Sequence, residues 1–259
     1  MQNNDLSNNN YAIEVVHLTT GYGERIIHDN VSFKIKKGEI VVIAGASGCG
    51  KSTLLNHLIG LLNPINGEVF IDGINLVNCS GNARLELLKK CGVLFQSGAL
   101  LSSMTIAENI DLVLEAHTNL SQELRNIIID MKLSLLNLSG SENLFPSQLS
   151  GGMKKRAGLA RAMALDPEIL FFDEPSAGLD PISAAELDAA ILTINKILGT
   201  TMIIVTHDLD SIFNVAQRVI MLDAVTKKII ADDTPQTLKS QTENKEIHDF
   251  FNRFPNYSK

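Results

Sequence analysis

The sequence predicts an α/β fold, a mostly parallel sheet with helices on both faces that is interrupted by a helical subdomain. Short apolar runs typical of fully buried strands occur on both sides of a long segment with helical spacing, 105–165. Strands that alternate with helices favour a parallel sheet, because consecutive parallel strands need a crossover connection. The 259 residues, 45% of them hydrophobic, are enough to bury such a core.

The first half of the predicted core begins with the run EIVVIAG at 39–45, which is bounded by a glycine-rich turn. Leucines at helical spacing then predict a helix over 52–62, and Pro64 predicts its end because proline cannot continue a helix. Two further strands are predicted at 68–72 and 93–96.

The second half of the predicted core follows the helical insertion, whose pattern is broken near Gly140 and Pro146. A helix is predicted after Pro181. Three apolar runs in this half predict buried strands, at 169–173, 201–206 and 218–223.

Composition and charge exclude several classes of function. The formal net charge is −7, whereas a broad nucleic-acid surface needs clustered Lys and Arg, so no nucleic-acid partner is expected. No apolar run approaches the ~20 residues of a membrane span, so any link to a membrane should go through another protein. Three cysteines without CxxC spacing indicate free thiols in a reducing compartment. The opening MQNNDLSNNN is typical of a disordered tail rather than a secretory signal.

The segment GASGCGKST matches the phosphate-loop pattern GxxxxGK[ST] between a predicted strand and a predicted helix. Glycines let the backbone wrap closely around anionic oxygens, and N–H groups at a helix N-terminus bind phosphate. Lys51 would place a cation near the β- and γ-phosphates, and Ser52 would offer a hydroxyl to Mg²⁺. The alternative, a chance glycine-rich turn, does not explain this context. The predicted nucleotide-binding residues are Gly45, Ala46, Ser47, Gly48, Cys49, Gly50, Lys51, Ser52 and Thr53.

Cys49 lies inside this loop, close to the predicted helix N-terminus. Such a position lowers the pKa of a thiol, so the sequence predicts a reactive Cys49 that N-ethylmaleimide would modify. A small filler residue at a tolerant position is the alternative.

The segment ILFFDEP places Asp173 and Glu174 at the end of an apolar strand. Asp173 would hold the Mg²⁺ shell, and Glu174 would polarise the attacking water. An acidic turn after a core strand is the alternative, and the phosphate loop in the same chain favours the functional interpretation.

The segment LSGGM at 149–153 resembles the signature motif of ABC-transporter ATPases. Further matches in the same order, over about residues 12–235, are Tyr22, the phosphate loop, Gln96, LSGGMKKR, ILFFDEP, SAGLD at 176–180 and His207. The resemblance implies an ATP- and Mg²⁺-dependent ATPase of the P-loop NTPase class, with a RecA-like core, an N-terminal antiparallel β-part and an inserted helical subdomain. The implied bounds are a disordered tail at 1–10, a cassette at 11–235 (core 11–96 and 166–235, helical subdomain about 97–165) and a helical tail at 236–259.

The resemblance also implies roles for single residues. Tyr22 would stack on adenine, unless it is an ordinary loop aromatic. Gln96 would reach Mg²⁺ or the attacking water, and His207 would contact the γ-phosphate and orient Glu174, unless it is a structural histidine. Lys51 would join them in catalysis.

Other roles implied by the resemblance act across a homodimer of cassettes. Ser150, Gly151 and Gly152 would bind the γ-phosphate of a nucleotide held by the second copy, and Asp180 would cross the same interface.

A narrower resemblance, over 95–110 and 149–183, is to the Mla/Mce-type phospholipid-transport ATPases of bacterial envelopes. It implies an integral-membrane permease, an MCE-domain protein and a small STAS-type subunit as partners, at the cytoplasmic face of the inner membrane. Met153 and Lys155 stand where most ABC signatures have Gln. An ABC ATPase for amino acids, metal chelates or drugs, or one without a transport role, is the alternative.

The C-terminal tail is rich in aromatic residues. Ile247, Phe250, Phe251 and Phe254 predict an apolar face on a helix over about 243–253. Such a face should be covered, by the chain's own core or by a partner.

Overall fold

The computed structural model describes residues 10–253, and these residues form two sheets and the helices that cover them. The strands are β1 (Tyr11–Tyr22), β2 (Arg25–Lys36), β3 (Ile40–Gly45), β4 (Asn66–Ile71), β5 (Ile74–Asn75), β6 (Cys91–Leu94), β7 (Ile169–Asp173), β8 (Thr201–Val205), β9 (Arg218–Leu222) and β10 (Ile229–Asp233). The helices are α1 (Lys51–Leu58), α2 (Gly81–Lys89), α3 (Ile106–His117), α4 (Gln122–Leu135), α5 (Gly151–Ala162), α6 (Pro181–Leu198), α7 (Leu209–Val215), α8 (Pro235–Ser240) and α9 (Lys245–Phe251).

The larger sheet is the predicted parallel core, with strand order β10-β9-β3-β8-β7-β6. Every pair from β9 to β6 is parallel, and only the edge strand β10 runs antiparallel to its neighbour. All six residues of β3 are buried, because helices cover one face of this sheet and the smaller sheet and α1 cover the other. The continuous apolar runs of the sequence follow from this burial on both faces.

The smaller sheet has the order β2-β1-β4-β5, and all of its pairs are antiparallel. It is the N-terminal antiparallel part that the family resemblance implies. The strand predicted at 68–72 belongs to this sheet, as β4. Its buried residues join α1 and one face of the parallel sheet in a second hydrophobic core.

The helical insertion between β6 and β7 contains α3, α4 and α5. The structure confirms the predicted breaks, since Gly140 has a φ of +85° and Pro146 opens a short 3-10 turn. Side chains cap the helices at their N-termini; Thr105 forms a capping box with Glu108 at α3, and the Ser150 hydroxyl accepts from Met153 N–H at α5.

Some boundaries differ from the prediction. Helix α1 begins at Lys51 and ends at Leu58 rather than spanning 52–62, because Gly60 adopts a φ of +73° and turns the chain. Leu61, which the helical pattern included, is exposed. Periodicity also did not predict α2, α7 or β10, which are short or largely polar.

The tail helix α9 is shorter than the predicted 243–253. Ile247 and Phe251 are buried in the chain's own core, and the Phe251 ring meets that of Phe213 edge-on, with centroids 6.1 Å apart. These contacts favour packing of α9 on its own chain. Phe254 and Tyr257 lie outside the described residues, as does most of the tail predicted at 1–10. Between residues 10 and 253, no helix is both long and apolar enough to cross a bilayer.

Candidate nucleotide-binding and hydrolysis site

The phosphate loop connects the carboxyl end of β3 to the start of α1, as the sequence predicts. Gly45 has a φ of +144°, and a Cβ there would lie 2.4 Å from the Leu222 carbonyl oxygen. Gly50, the N-cap of α1, has a φ of +95°, and a Cβ there would lie 2.3 Å from Ile27 Cγ2. Both positions therefore require glycine, for the turn and for the close packing of the loop against its neighbours.

Lys51 points back into the loop. Its Nζ donates to the carbonyl oxygens of Gly45 at 3.0 Å and Ala46 at 3.3 Å, and the residue is buried. The ammonium group thus lies beside the N-terminus of α1, and a cation next to the free N–H groups of a helix can bind an anion together with them.

His28 supports the loop from β2, a contact that sequence reasoning missed. The fully buried ring donates from Nε2 to the Cys49 carbonyl oxygen at 3.0 Å and accepts at Nδ1 from the Thr20 hydroxyl at 2.7 Å. Burial lowers the pKa of His28 to about 4, because its effect is larger than that of the hydrogen bond to the Cys49 carbonyl oxygen, which raises the pKa. The ring is neutral at pH 7, and nothing in the sequence distinguishes it from other strand residues.

The prediction of an ionised Cys49 thiol is wrong. Cys49 is 1% exposed, and burial raises the pKa of its thiol, outweighing the nearby Lys51 ammonium, which lowers it. Its Sγ would be 2.8 Å from a Cβ at Gly45, so the thiol fills the space behind the loop. The helix N-terminus and the Lys51 ammonium both favour a thiolate, but burial disfavours the charged form of the sulfur more strongly.

Oxygen ligands of the type that Mg²⁺ prefers meet beside the loop. The Ser52 hydroxyl donates to Asp173 Oδ1 at 2.9 Å, and Gln96 lines the same cleft. No group of three or more His, Cys, Asp or Glu side chains in residues 10–253 forms a metal cluster. A hydroxyl, an amide and one carboxylate fit a Mg²⁺ ion that keeps several waters and phosphate ligands, so the residues fit the implied metal.

Glu174 and His207 meet at the carboxyl ends of β7 and β8. His207 Nδ1 lies 2.9 Å from Glu174 Oε1. Glu174 has a φ of +47°, an uncommon backbone conformation for this residue type, and its N–H donates to the Val205 carbonyl oxygen at 2.8 Å. The backbone thus aims a carboxylate and an imidazole at the same space, where the carboxylate can accept a hydrogen bond from water.

The phosphate loop, Gln96, Glu174 and His207 line one cleft of about 660 Å³. Phe250 of α9 also contributes to its wall, which the sequence did not predict. Another cavity, of about 390 Å³, lies at the opposite ends of the parallel strands and contains none of the predicted site residues.

The remaining predicted residues lie outside this cleft. Tyr22 is exposed at the end of the β1–β2 hairpin. Ser150 is the N-cap of α5, ahead of Gly151 and Gly152. Asp180 is the N-cap of α6, and its hydrogen bonds from Ser183 lower the pKa of its carboxyl.

Comparison with known proteins places these features in a family. Residues 28–177 match the family model described as ABC transporter. The chain is 42% identical over 234 residues to the intermembrane phospholipid transport system ATP-binding protein MlaF of Haemophilus influenzae, covering 90% of this chain and 88% of that protein. It is 40% identical over 218 residues to MlaF of Escherichia coli K12, covering 84% and 80%. A probable ribonucleotide transport ATP-binding protein, mkl, of Mycobacterium leprae is 46% identical over 200 residues, covering 77% and 57%.

Solved structures agree with this result. The cbiO1 protein of Clostridium perfringens, part of an ABC transporter complex, superposes with a TM-score of 0.82 at 26% identity, covering 90% of this chain and 92% of that one. A dimeric ATP-binding cassette in a post-hydrolysis state, bound to ADP and phosphate, superposes with a TM-score of 0.77 at 31% identity, covering 86% and 98%.

Proposed function

This chain belongs to the ABC transporter family of ATP-binding cassettes, and we propose that it powers a permease that moves phospholipid between the membranes of a bacterial envelope. The family is one of ATPases coupled to transport. The observation that carries the proposal is the similarity to two MlaF proteins over at least four fifths of each chain, including the site that the cleft brings together.

In the proposed reaction, water attacks the γ-phosphorus of ATP, the bond to the bridging oxygen breaks, and ADP leaves. The loop 45–53 wraps the phosphates, and Lys51 turns its ammonium from the loop carbonyls towards the β- and γ-oxygens. Glu174 accepts a hydrogen bond from the attacking water. His207, whose Nδ1 lies 2.9 Å from Glu174 Oε1, orients this carboxylate and contacts the γ-phosphate.

The proposed metal ligands are Ser52, Gln96 and Asp173, two of which already contact each other. A bound Mg²⁺ would neutralise charge on the β- and γ-phosphates. Tyr22 is the proposed adenine platform, and its exposed ring at the hairpin end is available for stacking.

The proposed active form is a homodimer in which each cassette completes the other's site. Ser150, Gly151 and Gly152 lie at the N-terminus of α5, outside the cleft of their own chain. The Ser150 oxygen accepts from Met153 N–H at 3.2 Å, which leaves its hydroxyl proton for a phosphate oxygen. With Asp180 at the start of α6, these groups suit a nucleotide held by the second copy.

Ser150→Arg tests this arrangement. We expect the variant to lose ATPase activity and to keep nucleotide binding at its own phosphate loop, because the serine serves the opposite cassette. Mixed with Lys51→Ala, it should regain activity, since one composite site in the mixed dimer is intact. Phosphate release from the two variants, alone and mixed after tagging to confirm mixed dimers, measures this. Loss of nucleotide binding in Ser150→Arg alone would count against action across the dimer.

The proposed partners follow from the phospholipid assignment. They are an integral-membrane permease that holds the cassettes at the cytoplasmic face of the inner membrane, an MCE-domain protein and a small STAS-type subunit. Ribonucleotide transport is a second candidate, because mkl is 46% identical over the shared region. The cleft binds nucleotide in either case, so the transported molecule depends on the permease.

Purification of the tagged chain from its native membranes separates the two candidates. We expect mass spectrometry to find a permease and an MCE-domain protein, and lipid extraction to find co-purifying phospholipid. Phospholipid should also stimulate the ATPase activity of the reconstituted complex. A complex stimulated by ribonucleotide and not by phospholipid would support the second candidate.

A further inference from the structure

Lys155 is a residue that the proposed reaction leaves without a role. It stands in α5, where most ABC signatures have Gln. The whole residue is 6% exposed, although an ammonium group is among the costliest groups to bury.

The partners of the Lys155 ammonium are backbone oxygens of two site residues. Its Nζ donates to the Gln96 carbonyl oxygen at 2.5 Å and to the Glu174 carbonyl oxygen at 3.4 Å. The carboxylates of Asp173 and Glu174 are close enough to interact electrostatically with it. A cation from α5, the signature helix that begins within the LSGGM segment, thus contacts the backbone of the residues proposed to bind the metal and to orient water.

Three residues on one face of α5 contact the loop after β6, and the first of them is Lys155, which donates to the Gln96 carbonyl oxygen. Three residues beyond Lys155, Gly158 packs so closely that a Cβ there would lie 2.7 Å from the Gly98 carbonyl oxygen. After three more residues, Arg161 Nη1 donates to the Ala99 carbonyl oxygen at 2.5 Å. These positions repeat at helical spacing, so one face of α5 contacts the loop 96–99 along its length and couples the position of the loop to that of the helix.

The second contact of Lys155 acts on a strained backbone. Glu174 has a φ of +47°, which is unfavourable for a residue with a side chain. A cation at its carbonyl oxygen helps to fix the orientation of this peptide, and the peptide sets the direction of the carboxylate.

We propose that Lys155 is a positioning residue that holds Gln96 and Glu174 in the geometry for hydrolysis and ties both to the signature helix. Residue 155 acts through the backbone of these two residues and not by touching the nucleotide. Under the proposed function, on which this consequence rests, Ser150 at the start of the same helix contacts the partner's nucleotide. Each chain then couples the nucleotide bound by its partner, which its Ser150 contacts, to Gln96 and Glu174 of its own site.

The test compares three substitutions in the full-length chain. Lys155→Met keeps most of the side-chain length and removes the donor. Its kcat should fall by about tenfold or more, with KM for ATP changed less than about twofold, as expected for hydrogen bonds from a charged group that act on the chemical step. Lys155→Gln supplies a shorter, neutral donor, and its kcat should fall by about three- to tenfold, between Met and wild type. Lys154→Met, the neighbouring lysine on α5, is the matched control and should behave as wild type.

Hydrogen exchange of the nucleotide-free proteins provides a readout independent of turnover. The backbone amides of 96–99, Glu174, Ser176 and Ala177 should exchange faster in Lys155→Met than in Lys154→Met. If Lys155→Met does not fold, Lys155→Gln decides by the same measurements. The inference is overturned if folded variants at residue 155 keep kcat within about twofold, or if KM rises in step with the loss of kcat. An inactive wild-type protein would instead contradict the proposed function, and hydrogen exchange would still decide on the positioning role.

Discussion

Glu174→Gln is expected to bind ATP and to hydrolyse it at least about a hundredfold more slowly than the wild type, as is typical for loss of a general base. The substitution keeps the shape of the side chain, so the contact with His207, now 2.9 Å from Oε1, persists in altered form. The neutral amide is a far weaker acceptor of the water proton. Nucleotide binding should survive, because the phosphate loop does not depend on Glu174.

The expected consequence is an ATP-bound dimer that accumulates. Size-exclusion chromatography with Mg-ATP should show it for Glu174→Gln, and phosphate release should show the loss of turnover. Glu243→Gln, a change of an exposed carboxylate before α9, is the matched control and should turn over normally. Turnover within about threefold of wild type would mean that Glu174 does not orient the water.

Local sequence patterns were sufficient to predict the parallel core and most of the cleft. The runs that form β3, β7, β8 and β9 are apolar on both faces, and this pattern is typical of strands in a sheet that is covered on both sides. The phosphate loop is one contiguous segment, so the turn, the helix N-terminus and Lys51 could be identified together. Asp173 and Glu174 directly end a buried strand, which places them at the edge of the sheet where the loop lies.

Contacts between distant segments could not be predicted in the same way. His28 reaches the loop from another sheet, and Lys155 reaches Gln96 across 59 positions of the chain. A buried lysine on a polar helix has the same local pattern as an exposed one, so only the packing of α5 identifies it. For Cys49 the local pattern gave a wrong prediction. Its position near a helix N-terminus predicted an ionised thiol, whereas its burial raises the pKa of the thiol.

The end of α1 was misplaced for a related reason. The leucine pattern continues past Leu58, but Gly60 adopts a positive φ and its carbonyl oxygen accepts from Arg84 Nη2 at 2.6 Å. This contact from α2 stabilises the turn in place of another helical turn. The competing interaction comes from a helix that the sequence pattern did not predict, because α2 has few buried side chains.

Lys51→Ala is expected to abolish detectable hydrolysis and to weaken ATP binding by about a hundredfold or more, from the loss of charge-assisted hydrogen bonds to the phosphates. The fold should persist, because within residues 10–253 Nζ donates its hydrogen bonds to the carbonyl oxygens of Gly45 and Ala46. Both residues line an open cleft where water can replace the ammonium. The chain therefore loses a ligand contact rather than a core contact.

Three measurements test the role of Lys51. Titration with a fluorescent ATP analogue gives the affinity, phosphate release gives the turnover, and thermal unfolding without nucleotide gives the stability. Lys51→Met keeps most of the side-chain length without the charge, so equal losses in both variants would assign the effect to the ammonium and not to packing. Lys196→Ala on α6 is the control for loss of a lysine far from the cleft. Full ATPase activity in a folded Lys51→Ala protein would contradict the phosphate-binding role of the loop, because the lysine is its only side-chain cation.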